Sequence, residues 1–432
     1  MRLPPILLTA VFVLAACSES GVNSPDPING NGKDPPSPIE TQSFVPTSIS
    51  IEIDGLPEPY ATPSAVKRAD ISAVPSSPLL YVPEGFQVNV FASGLTGPRS
   101  LALAPGGDVF VAESGSNRIV VLRDSTGDGD ADLRTIFAGG GDGLTRPFGL
   151  VFAEQALYVG GTTSIRRFPY EPQQLQAADA GDLVATLTAN SSGHWTRDLV
   201  LSQDGSEMYV SIGSASNVSV ESPPRATVQQ MGLDGSGRRT VAGGLRNPVG
   251  LAVHPVTGAV FTVVNERDGL GDELVPDFMA EVQSGAFYGW PFAYLRPDLL
   301  DPRRMSGGQS ESPDLASSTK TPAVLFQAHS APLGLTFYDG DSFPARYRNG
   351  AFVAFHGSWN RSRATGYKVV FVPFNSDGKP AGHYEDFLTG FLVGETNPRA
   401  WGRPVDVIVL ADGSLLVSED ANGMIYRIQY YP

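Results

Sequence analysis

After Cys17 the chain contains no further cysteine, so no internal disulfide can hold it together and stability must come from a large hydrophobic core. It also lacks a long apolar run at its start. The stretch from Ile6 to Ala16 is too short to cross a bilayer, which takes about 20 residues. Positive charge is scarce: a net charge of -15 argues against nucleic-acid partners, because phosphate binding needs a basic face. A site for anions would have to be built locally from arginines. Helical periodicity is nearly absent, which excludes folds that alternate strands with long amphipathic helices. With 5 histidines in the whole chain, the place of each one is informative.

What is present begins with an address. MRLPPILLTAVFVLAAC carries one early charge at Arg2, the apolar stretch, and the small residues Leu14-Ala15-Ala16 before Cys17, the pattern of a signal peptide. Leu-Ala-Ala-Cys also resembles the bacterial lipobox, whose cysteine is lipidated and becomes the first residue of the mature protein. Residues 1–17 are therefore expected to be a lipoprotein signal peptide. Residues 18–76 are rich in Ser, Pro, Gly, Asn and Asp and read as a disordered tether. Residues 77–432 are expected to fold as one domain of the bacterial cell envelope, periplasmic or facing outward, touching membrane only through the lipid anchor. Ser18 after the cysteine favours the outer membrane if the source has one.

One unit recurs along the folded part: GPRSLALAPGGDVFVAES, TRPFGLVFAEQALYVGGT, HWTRDLVLSQDGSEMYVSIGS, RNPVGLAVHPVTGAVFTVVNE, APLGLTFYDGDSFPARYRNGAFVAFHGS and GRPVDVIVLADGSLLVSED. Each reads as polar loop, short apolar strand, turn and second apolar strand. Taking Leu101, Leu150, Leu199, Leu251, Leu335 and Val407 as anchors, the spacings are 49, 49, 52, 84 and 72 residues. A repeat of about 50 residues built from short strands is the signature of propeller blades, with room for insertions in the two long intervals. The expected fold is all-β, a six-bladed β-propeller.

In that fold the loop before each first strand and the loop after each second strand share a face. The entry loops carry Arg99, Arg146, His194 with Arg197, Arg246 with Asn247, Ser330 and Arg403. The exit loops carry Glu113, Thr162, Ser214, the run Asn265 to Asp268, the run His356 to Arg361, and Asp420. Arginines and histidines thus gather around one channel mouth of an acidic protein, which suits a small polyanion held by charge-assisted hydrogen bonds. His329 lies on the same face and is a substrate-side candidate, while His254 and His383 read as structural. DSTGDGDAD, from Asp124 to Asp132, spaces carboxylates beside glycines and reads equally as a second calcium loop or a solvated turn.

The motifs GLRNPVGLAVHP, NERDGLGDEL, GAFYGWPF, HGSWNR, GHWTRDL and GRPVDV closely resemble those of the glucose/sorbosone dehydrogenase family, which includes soluble pyrroloquinoline quinone (PQQ) sugar dehydrogenases and the related sorbosone and pyranose dehydrogenase domains. The resemblance implies PQQ and calcium at the channel mouth of a six-bladed propeller. By motif, His194 matches the catalytic histidine, and Arg246 and Asn247 match residues that contact the quinone. Arg267 and Asp268 fall where the family offers backbone carbonyls to calcium. Arg99, the segment holding His356, Trp359 and Arg361, and Arg403 fall where side chains meet the PQQ carboxylates. Glucose-oxidising members carry a second arginine where Val405 stands, an acidic residue where Gly193 stands, and a lysine with no match here. These departures point toward the sorbosone/pyranose branch.

The residue types fit that chemistry. PQQ is an ortho-quinone with three carboxylates, so holding it takes cations, and calcium can polarise quinone oxygens. A neutral histidine can take a hydroxyl proton while hydride leaves the same carbon, and a mild environment would give an apparent pKa of about 6 to 7. The expected activity is oxidation of a sugar or related hydroxy or aldehyde substrate, with Arg246 stabilising developing negative charge and an external electron acceptor completing the cycle. Two other classes remain open: a metal-dependent lactonase on the same scaffold, and a non-catalytic tethered propeller that binds glycans or proteins.

Overall fold

The repeat builds a ring. A computed structural model of the protein describes residues 39–189 and 191–432, so the leader, Cys17 and the lipobox lie outside the described residues. Blade one comprises Pro98–Leu103, Val109–Glu113, Arg118–Arg123 and Leu133–Ala138, hydrogen-bonded in that order as an antiparallel sheet. Blades two to five open with Leu150–Ala153, Leu199–Leu201, Asn247–Val253 and Pro332–Phe337. Blade six takes three strands from the end of the chain, Pro404–Val409, Leu415–Glu419 and Met424–Tyr430, and its fourth, Phe86–Ala92, from before blade one. This shared sheet closes the ring, and the inner strands contact one another in cyclic order. The six-bladed reading is correct.

Why these segments pack as blades is visible at the residue preceding each anchor: Ser100, Gly149, Asp198, Gly250, Gly334 and Asp406. Neighbouring inner strands come so close that a Cβ on Gly250 would lie 2.3 Å from Leu333 O, and one on Gly334 would lie 2.3 Å from Asp406 Oδ1. The two aspartates stitch blades together instead. Asp198 accepts from the Leu251 amide at 2.8 Å and Asp406 from the Leu101 amide at 2.8 Å. Between blades the apolar faces merge into cores, such as Phe110, Leu157, Phe168 and Tyr170 between blades one and two.

The tether reading of residues 18–76 is corrected for residues 39–76, which form an ordered strap on the outside of the ring. Glu40–Phe44 pairs in parallel with Leu79–Pro83, Ser48–Ile49 adds to the edge of blade five, and Asp70–Ile71 pairs with Arg399–Ala400. Its composition is polar, but Ile39 is buried beside Val88, and Ile51, Ile53 and Leu56 pack on the blade-four core. Unpaired edge strands supply the backbone partners such a segment needs. Residues 18–38 lie outside the described residues. The 84-residue interval holds short hairpins and the helix Pro313–Ser317, pinned to blades three and four.

Buried acids make the fold sensitive to pH. Burial, with Asp406 repelling it, pushes Asp198 up to about 8; burial likewise raises Asp406 to about 6, Asp277 to about 7 and Glu419 to about 7. Each binds a proton in the folded chain that the unfolded chain has already released. That contribution to stability is complete below the ordinary carboxylate range and is lost as pH rises through the folded values. The melting temperature should therefore fall between pH 5 and pH 8. Asp198→Asn, which keeps an acceptor for Leu251, should flatten that slope; an unchanged slope in thermal melts would show that Asp198 is ionised.

Candidate active site

Entry and exit loops meet at one mouth of the ring, around a cavity of about 380 Å³ lined by Arg99, His194, Arg246, Asn247, Glu266, Asp268, His329, His356 and Trp359, among others. That volume lies in the usual range for small-molecule sites. Two ion-pair clusters frame it. On one side Asp420 gathers Arg99 at 2.5 Å, Arg403 at 2.9 Å and His356 Nε2 at 3.1 Å. Burial alone would raise the Asp420 carboxyl, but His356 and the two guanidiniums hold it far below the usual carboxylate range. His356 is kept below its ordinary value by burial and by Arg99 and Arg403, so its Nε2 donates to Asp420 as a neutral ring.

On the other side Arg246 donates to Asp268 at 2.8 Å and to the Glu266 carbonyl at 2.7 Å. Asp268 also faces His329, whose Nδ1 lies 3.6 Å away and whose Nε2 donates to the Gly271 carbonyl at 3.0 Å. Burial opposes charging His329, yet the Asp268 and Gly271 partners with Asp277 raise its pKa overall. Trp195 stacks against Arg146 at 4.0 Å and Arg99 at 5.5 Å, fixing two cations by cation–π contact. Beneath the cavity Phe148, Val249, Leu333 and Val405 form an apolar plug. Val405 is thus wall packing, where a charged side chain would be buried.

His194 has the most defined environment. Its Nδ1 lies 2.9 Å from the Ser214 carbonyl oxygen; a carbonyl only accepts, so Nδ1 carries the proton and Nε2 keeps its lone pair. Burial, with Arg246 beside it, pushes the imidazole down to about 3. The mild pKa expected from sequence is therefore corrected: this ring is neutral across the working range. Its loop is held from below by Arg197, fully buried, which donates to the His194 carbonyl at 3.0 Å and the Thr196 carbonyl at 2.6 Å. Gly213 makes the seat, since a Cβ there would sit 2.4 Å from Asn247 Oδ1 and 2.6 Å from His194 Cβ.

Three sequence expectations are corrected. Arg361 donates to the Asp272 carbonyl and to Glu273, tying two exit loops together outside the cavity. Arg267 is wholly buried against Glu266 at 2.8 Å and Asp301 at 3.1 Å; it anchors the blade-four insertion. The Asp268 carbonyl already accepts from Asn217 at 2.9 Å and Arg303 at 2.7 Å, which uses both lone pairs a calcium would need, and it is the Asp268 carboxylate that lines the cavity. Arg403 borders an adjoining chamber. His254 and His383 stay structural: His254 Nδ1 accepts two turn amides at 3.2 Å, and His383 lies 4.0 Å from Glu385. In DSTGDGDAD, Asp124 accepts the Gly127 and Gly129 amides and Asp132 accepts from Ser125, the bonding of a self-capped turn. Asp277, which sequence reading missed, accepts the Glu266 and Ala331 amides at 2.8 Å each. Nothing in its strand pattern distinguishes it from an ordinary strand-edge acid.

The donor set fits an anionic, oxygen-rich cofactor. Arg99 Nε, Arg246 Nε, Asn247 Oδ1 and Glu266 Oε1 are buried without a hydrogen-bond partner among the described residues, an expensive state that a bound polar group would relieve. Hard oxygen donors are present, although among the described residues no three His, Cys, Asp or Glu side chains converge as a metal centre.

Comparison with known proteins agrees with this geometry. The chain is 29% identical over 378 residues to an uncharacterised protein of Borreliella burgdorferi, covering 84% of this chain and 94% of that one. It is 24% identical to the PQQ-dependent pyranose dehydrogenase of Coprinopsis cinerea, with 81% of this chain and 54% of that protein covered, so the match spans about half of the relative. The PQQ-dependent sugar dehydrogenase of Hypocrea jecorina is also 24% identical, over 80% of this chain and 88% of its own length. Among solved structures, the calcium structure of a Trichoderma reesei Family AA12 enzyme superposes with a TM-score of 0.70 at 20% identity, covering 84% of this chain and 98% of that one. The holo PQQ domain of the Coprinopsis cinerea pyranose dehydrogenase gives 0.68 at 22% identity, with 84% and 98% covered. A family model described as TrAA12-like matches residues 80–281 and 307–431, and the chain belongs to that PQQ sugar dehydrogenase-like family.

Proposed function

We propose that this protein is an oxidoreductase that oxidises a sugar using PQQ, with His194 as the general base. The carrying observation is the His194 tautomer: Nδ1–H is spent on the Ser214 carbonyl, burial keeps the ring neutral, and Nε2 is left to accept a hydroxyl proton. Arg246 and Arg99 would hold anionic groups of PQQ, with Asn247 at its polar edge and His356 and Trp359 along its side; when bound, the quinone supplies the hydride acceptor. For calcium, the uncommitted Glu266 Oε1 and the Arg267 main-chain carbonyl are the oxygens we assign. The substrate is a sugar of the kind oxidised by the relatives named above, and an external acceptor removes the electrons.

Purified chain titrated with PQQ, with and without calcium, and then supplied with a redox dye and a panel of aldoses, should bind the quinone and reduce the dye. Absence of PQQ binding under both conditions would leave the lactonase or the binding propeller. We further propose, from Leu14 to Cys17, a lipid anchor in a bacterial envelope. Cys17→Ala should move the protein from the membrane to the soluble fraction, and unchanged membrane association would defeat the anchor.

A further inference from the structure

The strap crosses the rim of the site. Thr62 Oγ1 accepts from the Asp272 amide at 2.8 Å, Asn360 Nδ2 donates to the Ala65 carbonyl at 2.7 Å, and the Lys67 amide donates to the Trp359 carbonyl at 2.8 Å. These bonds tie the strap to two of the exit loops that carry site residues. They also hold the Arg68 guanidinium 5.7 Å from the centre of the Trp359 ring. The strap lies outside the residues matched by the family model.

Beside Trp359 lies a second chamber of about 210 Å³, lined by Arg68, His356, Trp359, Tyr367 and Arg403, among others. His356, Gly357 and Trp359 also line the main cavity, so the chamber adjoins it, with these residues as the shared wall. No carboxylate side chain lines it. Arg403 is partly neutralised by Asp420 at 2.9 Å, whereas Arg68 is exposed and among the described residues is held by its ring contact with Trp359. The chamber is smaller than a typical whole-ligand site and suits the end of a longer molecule.

We propose that the chamber binds a carboxylate, with Arg68 as the residue that the strap adds to recognition. The inference rests on the reading of the main cavity as a PQQ and sugar site. The carboxylate has two possible sources, the cofactor or an acidic sugar such as a uronate, and both would pair with planar guanidinium donors. The test uses the full chain and Arg68→Gln, with Arg68→Lys as partial rescue. PQQ binding is titrated without sugar, glucuronate binding is measured on the cofactor-free chain by calorimetry, and KM is compared for glucuronate and glucose. Loss of one charged donor should weaken binding about tenfold. A fall in PQQ affinity with the glucuronate-to-glucose KM ratio unchanged assigns the cofactor's carboxylate. A fall in glucuronate binding, with a rise in its KM alone, assigns the substrate. Unchanged PQQ and glucuronate affinities in Arg68→Gln overturn the proposal. Failure of the parent chain to bind PQQ or oxidise either sugar instead overturns the reading of the main cavity, while glucuronate binding to the cofactor-free chain still decides the chamber.

Discussion

Replacing His194 with alanine should lower turnover by about 10²–10⁴-fold, the usual contribution of a positioned acid–base group, while the chain still folds and binds PQQ. Folding should survive because the ring lies on an entry loop, and its hydrogen bonds run to Ser214. The imidazole of the cofactor-free parent should stay neutral from pH 5 to pH 8 when followed by NMR, since burial and Arg246 push its pKa down to about 3. An enzyme whose base is already deprotonated needs no alkaline shift to work. If His194 only held the loop or the cofactor, saturating PQQ would restore most of the rate. Full turnover in the alanine variant would remove His194 from the mechanism.

The largest expected loss of stability comes from Arg267→Met. The guanidinium is fully buried, with Glu266 and Asp301 as its ion-pair partners and the carbonyls of Pro291 at 3.2 Å and Ala293 at 2.7 Å as acceptors. Its removal leaves the buried Glu266 carboxylate without its cation, a change that costs about 3–5 kcal/mol. Arg303 still pairs with Asp301 at 2.9 Å, so the greater disturbance should fall on Glu266, which lines the cavity. Chemical denaturation should show the loss, and PQQ affinity should fall with it. A variant as stable as the parent would mean that the insertion is held by its other contacts.

Much of the fold was legible because the two inner strands of each blade read as apolar runs, the second of them buried almost throughout. Outer strands give weaker signals. Asp182–Thr186 closes blade two with largely exposed residues, and Glu40–Phe44 is mostly polar; both are strands because a neighbouring edge offers backbone partners. The strap was therefore misread from composition, although Ile39, Ile51, Ile53 and Leu56 were available as apolar anchors.

The candidate site was legible wherever loop position alone brings a residue to the mouth. Arg99, His194, Arg246, Asn247, His356 and Trp359 all line the main cavity. It was not legible where a side chain's direction depends on a partner far along the chain. Arg361 turns away toward Glu273, 88 residues distant, and Arg267 toward Asp301, 34 residues distant. Asp420 was placed on the correct face, but its part as the shared partner of Arg99, Arg403 and His356 needs the closed ring, since Arg99 lies 321 residues away.

By itself, then, the sequence determined the number of blades, the face that carries the chemistry, and the residue types offered there, because strand period and repeat spacing are local properties. Tertiary structure decided which cations stay free and which are paired. It also decided that His194 is neutral with Nε2 open, and that Arg68 reaches the rim. Each of these depends on burial and on partners that only the folded ring brings together, and electrostatic energies inside a protein are set by those distances and that desolvation.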